Sequence, residues 1–114
     1  MKKFTKYLLK EFQTERSKSI AFFRSHKAYG YILWLKLMES YFSDKKISTE
    51  KFIEIGSKYA SRRTVNKFLS KADKLNFIEK VVSKKDKRII YILPSKISVV
   101  EYTDWANKFL KSIW

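Results

Sequence analysis

The sequence predicts a mainly α-helical chain (α+β) that carries a single β-hairpin in its C-terminal half. Three observations predict it. Lys, Glu, Leu and Phe are abundant while Gly occurs twice and Pro once, which favours helices. Apolar residues recur at three and four residues along most of the chain. The period then turns extended and β-branched in two short runs, Phe77 to Val82 and Ile89 to Leu93, separated by a polar stretch.

The elements follow in order. About Phe4 to Phe12, the residues Phe4, Tyr7, Leu8 and Phe12 share one helical face. Gln13 to Ser19 is polar and reads as a break or a continuation. From about Ser19 to Phe42 a long helical pattern places Phe22, Phe23, Ala28, Ile32, Leu35, Met38 and Phe42 inward. Gly30 lies inside it and weakens the helix by about 1 kcal/mol relative to Ala. Ser48 or Thr49 caps the next helix, with Glu50 in its first turn and Phe52, Ile55 and Tyr59 as its buried stripe.

Ser61 is a good cap for a helix running to about Leu75. Val65, Phe68, Leu69, Ala72 and Leu75 form its inner face, and Arg62, Arg63, Asn66, Lys67, Ser70, Lys71 and Lys74 fall mostly on the other. Asn76 follows where a left-handed cap is needed. The two strands enclose Ser83-Lys84-Lys85-Asp86-Lys87-Arg88, and Pro94 ends the second because it has no N–H to pair. Ser95 or Ser98 caps a last helix striped by Tyr102, Trp105, Phe109 and Ile113.

At 114 residues the chain fits one domain, 1–114, with N-terminal helices over 1–46, a central region over 47–95 and a C-terminal helix over 96–114. Apolar residues make up 45%, with Phe 9, Tyr 7 and Trp 3, which is enough for a core and makes disorder a poor reading despite 32% charged residues. The net charge is +15, and a polyanionic partner is the usual reason to tolerate such self-repulsion. Residues 1–46 and 47–95 each carry a net +7, and residues 96–114 only +1. The aromatic C-terminal segment is therefore expected to face protein rather than phosphate. The absence of cysteine excludes disulfides and thiolate metal sites. Lys6, Lys10 and Glu11 interrupt the N-terminus before a signal-peptide core forms. The apolar run Ala28 to Leu35 is far short of the ~20 residues a membrane span needs. The expectation is a soluble, cytoplasmic protein at the nucleoid, without a membrane partner.

Helix, helix, short connection, helix, basic hairpin, helix is the winged helix-turn-helix plan: a two-stranded β-hairpin wing with flanking N- and C-terminal helices. The helix after the turn fits the major groove of B-DNA, about 12 Å wide, with its first residues nearest the bases. Ser61-Arg62-Arg63-Thr64-Val65 resembles the S-x-x-T-V that opens many bacterial recognition helices. Lys74-Leu75-Asn76-Phe77-Ile78-Glu79-Lys80 resembles the L-x-x-x-G-[LF]-[IV]-x-[KR] approach to the wing, with Asn76 where Gly is preferred. Lys85-Asp86-Lys87-Arg88, followed by Tyr91-Ile92-Leu93, is similar to the D-x-R wing of MarR-type (multiple antibiotic resistance) regulators.

That resemblance covers about Ile47 to Ser95, and the flanking helices match by pattern only. It implies a homodimer joined by the terminal helices, with Arg88 of each wing probing a minor groove and Asp86 steering it. The chain departs from the pattern in a turn before Ser61 that is one residue shorter and lacks its Gly, in overall length and in charge. These departures bear on that family's effector pocket more than on DNA binding.

Other classes fit less well. His26, between Ser25 and Lys27, has no histidine or cysteine partner, and there is no phosphate loop or nucleophile elbow. No enzymatic activity, metal or cofactor is expected. Basic amphipathic helices bind anionic lipid, but a charged hairpin tip has no role there. RNA attracts the same cations, yet Phe52, Tyr59, Phe68 and Phe77 read as inner-face residues rather than exposed stacking platforms.

The partner expected is double-stranded DNA. Its contacts are expected from Ser61, Arg62, Arg63, Thr64, Asn66, Lys67, Ser70 and Lys71 on the helix, and Lys84, Lys85, Asp86, Lys87 and Arg88 on the wing. Either cationic cluster alone is more often a solvated surface than a ligand contact. Arginine placement argues otherwise: 5 of the 26 cations are Arg, and 3 of those 5 are Arg62, Arg63 and Arg88. A transcription regulator and a low-specificity architectural or replication-associated protein both fit this composition.

Overall fold

The computed structural model describes residues 1–13 and 18–113, with the side chains of residues 11–13 and 27 not among those described. Phe12 as part of the first stripe, and the reading of residues 14–17, lie outside the described residues. The order is α1 (Lys2–Gln13), α2 (Lys18–Ser25), α3 (Lys27–Phe42), β1 (Ile47–Ser48), α4 (Thr49–Gly56), α5 (Arg62–Lys74), β2 (Ile78–Val82), β3 (Ile90–Pro94) and α6 (Lys96–Ile113). The molecule is mainly α with a β wing.

The run expected as one helix from Ser19 to Phe42 is two. His26 takes an extended conformation (φ −97°, ψ 110°) and ends α2 before α3 begins. Its Nδ1 lies 2.7 Å from the Phe22 carbonyl oxygen, and its ring packs against Phe22 and Phe68 at centroid distances of 4.7 and 4.9 Å. The inward face of α3 also differs from the one expected. Tyr29, Leu33, Trp34, Leu37 and Met38 are buried, whereas Ala28, Leu35 and Phe42 are exposed and Ile32 half-buried. An apolar run that covers most of a helix's circumference does not select a face by periodicity, so packing selects it.

Gly30 has a steric role instead of a cost. A Cβ there would lie 2.5 Å from the Phe23 carbonyl oxygen and 2.6 Å from His26 Cβ. Neither neighbour is the end of a flexible side chain, so α2 and α3 would have to separate. Gly30→Ala is expected to destabilise the protein by about 1–3 kcal/mol, against the gain its helix propensity would give. A denaturation midpoint at or above that of the parent would contradict this close approach.

The sheet has the order β1-β3-β2 and is antiparallel. The sequence predicts two strands. The third, β1, has two residues, too few to carry a period, and pairs Ile47 with Ile92 and Ser48 with Tyr91. In the hairpin Ile78 is opposite Pro94, Lys80 opposite Ile92 and Val82 opposite Ile90. Ile78 and Ile92 are buried at the base, while Val81, Val82, Ile89 and Ile90 are exposed, so the far half of the hairpin projects beyond the core.

The start of α6 is fastened to the wing base. Ser95 Oγ accepts the Ser98 N–H (3.3 Å), and the Phe77 carbonyl accepts both Ser95 N–H (3.1 Å) and Ser98 Oγ–H (2.7 Å). One turn on, the Glu101 carboxylate accepts the Ser19 N–H at 3.0 Å and also its hydroxyl. An anion there satisfies an orphan donor in the first turn of α2. Further along, Trp105 packs edge-to-face on the fully buried Trp34 at 5.1 Å. Phe109 meets Phe4 (5.0 Å) and Tyr7 (6.2 Å) of α1. The apolar stripes of the two terminal helices thus cover each other in part within one chain.

Candidate nucleic-acid interface

The local sequence dictates how α5 is presented. Ser61 has extended backbone (φ −66°, ψ 155°), and its Oγ accepts the Thr64 N–H at 3.1 Å, which satisfies an otherwise orphaned donor. The same hydroxyl donates to Thr64 Oγ1 at 2.9 Å. Val65, Phe68, Leu69 and Ala72 are buried, as expected, but Leu75 is 47% exposed because α5 ends at Lys74. Asn76 takes a left-handed conformation (φ 63°), and the following Phe77 N–H closes back on the Ala72 carbonyl at 2.9 Å. That reversal turns the chain directly into β2.

A close approach of helices sets the pitch of α5 against α4. A Cβ on Gly56 would lie 2.8 Å from Val65 Cγ2 and 3.0 Å from Val65 Cγ1. Glycine is therefore needed at the end of α4 even though the turn lacks one. That turn also exposes Tyr59, at 53%, where the sequence places it in the buried stripe. The helix stops at Gly56, so the spacing that would bury Tyr59 is broken. Phe52 is buried as expected and Ile55 half-buried. The exposed Tyr59 phenol sits two residues ahead of the α5 cap, and tyrosine is among the side chains that contact phosphate.

Every sequence-predicted α5 residue, Ser61, Arg62, Arg63, Thr64, Asn66, Lys67, Ser70 and Lys71, is exposed. They are not equivalent. Arg62 Nη2 donates to Glu50 Oε2 on α4 at 3.1 Å, whereas Arg63 has no carboxylate partner among the described residues. The sequence placed Glu50 only as a first-turn charge. Its reach to Arg62 across the turn carries no short-range signal.

The wing tip is built around two short side chains. Ser83 is buried, and its Oγ accepts the N–H groups of Lys85 and Asp86, both at 3.2 Å. Asp86 accepts from Arg88 three times: backbone N–H (3.0 Å), Nε (3.1 Å) and Nη2 (3.1 Å). The Arg88 guanidinium, followed by its backbone N–H, holds the Asp86 carboxyl below the usual carboxylate range. The Arg88 side chain is nonetheless 91% exposed, and Lys84, Lys85 and Lys87 are exposed around it. Among the described residues no hydrogen bond or ion pair joins the α5 set to the wing set. Each cluster is organised separately.

No protein-family model matches the sequence, and no curated protein matches it. Solved structures do. The heme sensor protein PefR from Streptococcus agalactiae, in complex with heme, gives a TM-score of 0.55 at 20% identity, over 96% of this chain and 72% of that one. PefR with heme and carbon monoxide gives 0.57 at 20% identity, over 96% and 73%. Heme-free PefR gives 0.52 at 19% identity, over 96% and 93%. The fold is a winged helix.

Heme is the ligand of PefR. An open groove of about 460 Å³ between α3 and α6 is lined by Leu35, Met38, Phe42, Tyr102 and Ala106 among others, with no histidine. His26, the one histidine of the chain, lies outside that lining and is packed on Phe22 and Phe68. There is no cysteine. The groove offers heme iron no imidazole or thiolate. No group of three or more metal-ligating side chains occurs among the described residues, and no helix among them is long and apolar enough to cross a membrane.

Proposed function

We propose that the chain is a MarR-type transcription regulator that binds double-stranded DNA through α5 and the wing. One observation carries this reading. A capped helix with a fully buried inner face presents Arg63, Thr64, Asn66 and Lys67 outward, beside a hairpin whose tip holds Arg88 in an Asp86 fork and extends it into solvent. A helix in this setting delivers side chains to base edges in the major groove, and an extended Arg on a narrow ribbon suits the minor groove. The excess of cations adds a sequence-independent phosphate attraction.

The protein acts as a homodimer in this reading. Phe4, Tyr7, Trp105 and Phe109 are engaged within the chain, so the surface left for a second copy is Leu9 on α1 with Leu110 and Ile113 on α6, all exposed. Sedimentation at micromolar concentration is expected to show a dimer, with recognition helices about 34–36 Å apart on DNA. A monomer at every concentration contradicts that part. Specific and architectural binding separate in a titration of selected against random duplexes. A ratio above roughly 10³ supports the regulator, and a ratio near one supports the low-specificity alternative.

Asp86→Ala tests the wing. Removing a negative charge alone strengthens binding to a polyanion, whereas losing the fork frees Arg88 and weakens it. Weaker binding is expected, and tighter binding would show that the fork has no role. The pH dependence has a fixed sign. A carboxyl lowered in the folded protein keeps its pair above the ordinary carboxylate range and loses it as pH falls through the lowered value. Wing geometry is therefore insensitive to pH through the neutral range.

A further inference from the structure

The cations of α1 take no part in the interface described above. At 100° per residue, Lys2, Lys3, Lys6 and Lys10 fall within an arc of about 100° on one side of that helix. All four are exposed. Elsewhere the protein pairs exposed cations readily: Lys36 with Glu39, Lys51 with Glu54, Arg62 with Glu50, Arg88 with Asp86 and Lys108 with Asp104. Among the described residues no carboxylate pairs with any of the four α1 lysines.

The opposite side of α1 is partly covered. Phe4 and Tyr7 pack on Phe109, and the Tyr7 hydroxyl donates to the Trp105 carbonyl at 3.3 Å. A helix that lies on a membrane needs its apolar face for the lipid, and here α6 occupies much of it. What remains is a row of fixed positive charges, which suits a polyanion recognised by charge alone. Its location matters too. The wing base is fastened at Ser98 of α6 and α1 at Phe109, about 16 Å further along the same helix, in a molecule 50 Å long.

We propose that the lysine stripe of α1 is a second duplex-binding face, so that the protein tethers one DNA segment through α5 and the wing and another through α1. This rests on the reading that α5 and the wing hold the first duplex. Contacts at α1 are to phosphate and indifferent to sequence, since Lys acts as a point charge.

The test is capture of a free fluorescent duplex by protein already saturating an immobilised one. The wild type is expected to capture it. The triple variant Lys3→Gln, Lys6→Gln, Lys10→Gln, on an exposed helical face, is expected to lose capture roughly tenfold or more and to lower its salt slope by about three units. Its affinity for a single duplex in solution is expected to stay close to that of the wild type. Capture by the variant equal to wild type overturns the proposal, as does a wild type that binds one duplex and captures no second. Retention on phosphatidylserine vesicles that the variant loses, without duplex capture by the wild type, assigns the stripe to a membrane and also overturns it. Failure of the wild type to bind even a single duplex overturns the underlying reading as well.

Discussion

Phe68→Ala is expected to destabilise the protein by about 3–5 kcal/mol, the range for truncating a buried aromatic side chain. Phe68 is buried on the inner face of α5 and stacks on Phe22 at 5.2 Å, with Phe23 (5.7 Å), Tyr29 (5.5 Å) and the His26 ring (4.9 Å) around it. These rings join the α2–α3 break to α5. Rigid rings on several elements collapse poorly into the space left behind, so the cost lies toward the top of the range. DNA binding is expected to fall with the folded fraction. Phe68→Leu, which keeps most of the volume, is expected to recover most of the stability. Denaturant unfolding measures both, and a loss below about 1 kcal/mol for the alanine variant would mean that this aromatic cluster is not a core.

Arg63→Ala and Asn66→Ala are expected to change which duplexes are preferred, by about 1–3 kcal/mol of discrimination each. Both side chains are exposed near the start of α5, and Arg63 has no carboxylate partner among the described residues. Asn66 suits a bidentate contact to adenine and Arg63 one to guanine. Arg62→Ala is expected to have the smaller effect on preference, because Glu50 already holds that guanidinium at 3.1 Å. Lys84→Ala or Lys85→Ala is expected to weaken all duplexes about equally and flatten the salt slope by about one unit. Competition among selected duplexes distinguishes the two behaviours. Equal losses across sequences for Asn66→Ala would remove α5 from base readout.

The parts of this fold legible in the sequence are those where one face is unambiguous. In α5, cations alternate with Val65, Phe68, Leu69 and Ala72, and Ser61 and Asn66 to Lys71 fall where expected. The left-handed Asn76 and the basic hairpin tip also read directly, because each depends on residues a few positions apart. Three features depend on contacts distant in sequence and were hidden. Trp34 turns inward against Tyr102 and Trp105 of α6, and Leu33 lies against Gly56 of α4, whereas Leu35 and Phe42 stay exposed. Gly30 reads as a helix weakener until the Phe23 carbonyl is placed beside it. Glu50 reads as a dipole partner until the turn brings Arg62 to it. In the candidate site the residue types and the two clusters were legible. The division between a committed Arg62 and an uncommitted Arg63, and the Ser83 support of the wing, were not.

The central claim is that α5 and the wing bind duplex DNA, and the salt dependence of that binding tests it most directly. With about six phosphates neutralised, log K is expected to fall with log salt at a slope near −5. The wild-type protein titrated with one duplex across a range of salt concentrations gives that slope. A slope near zero, or no binding at low salt, would contradict the account.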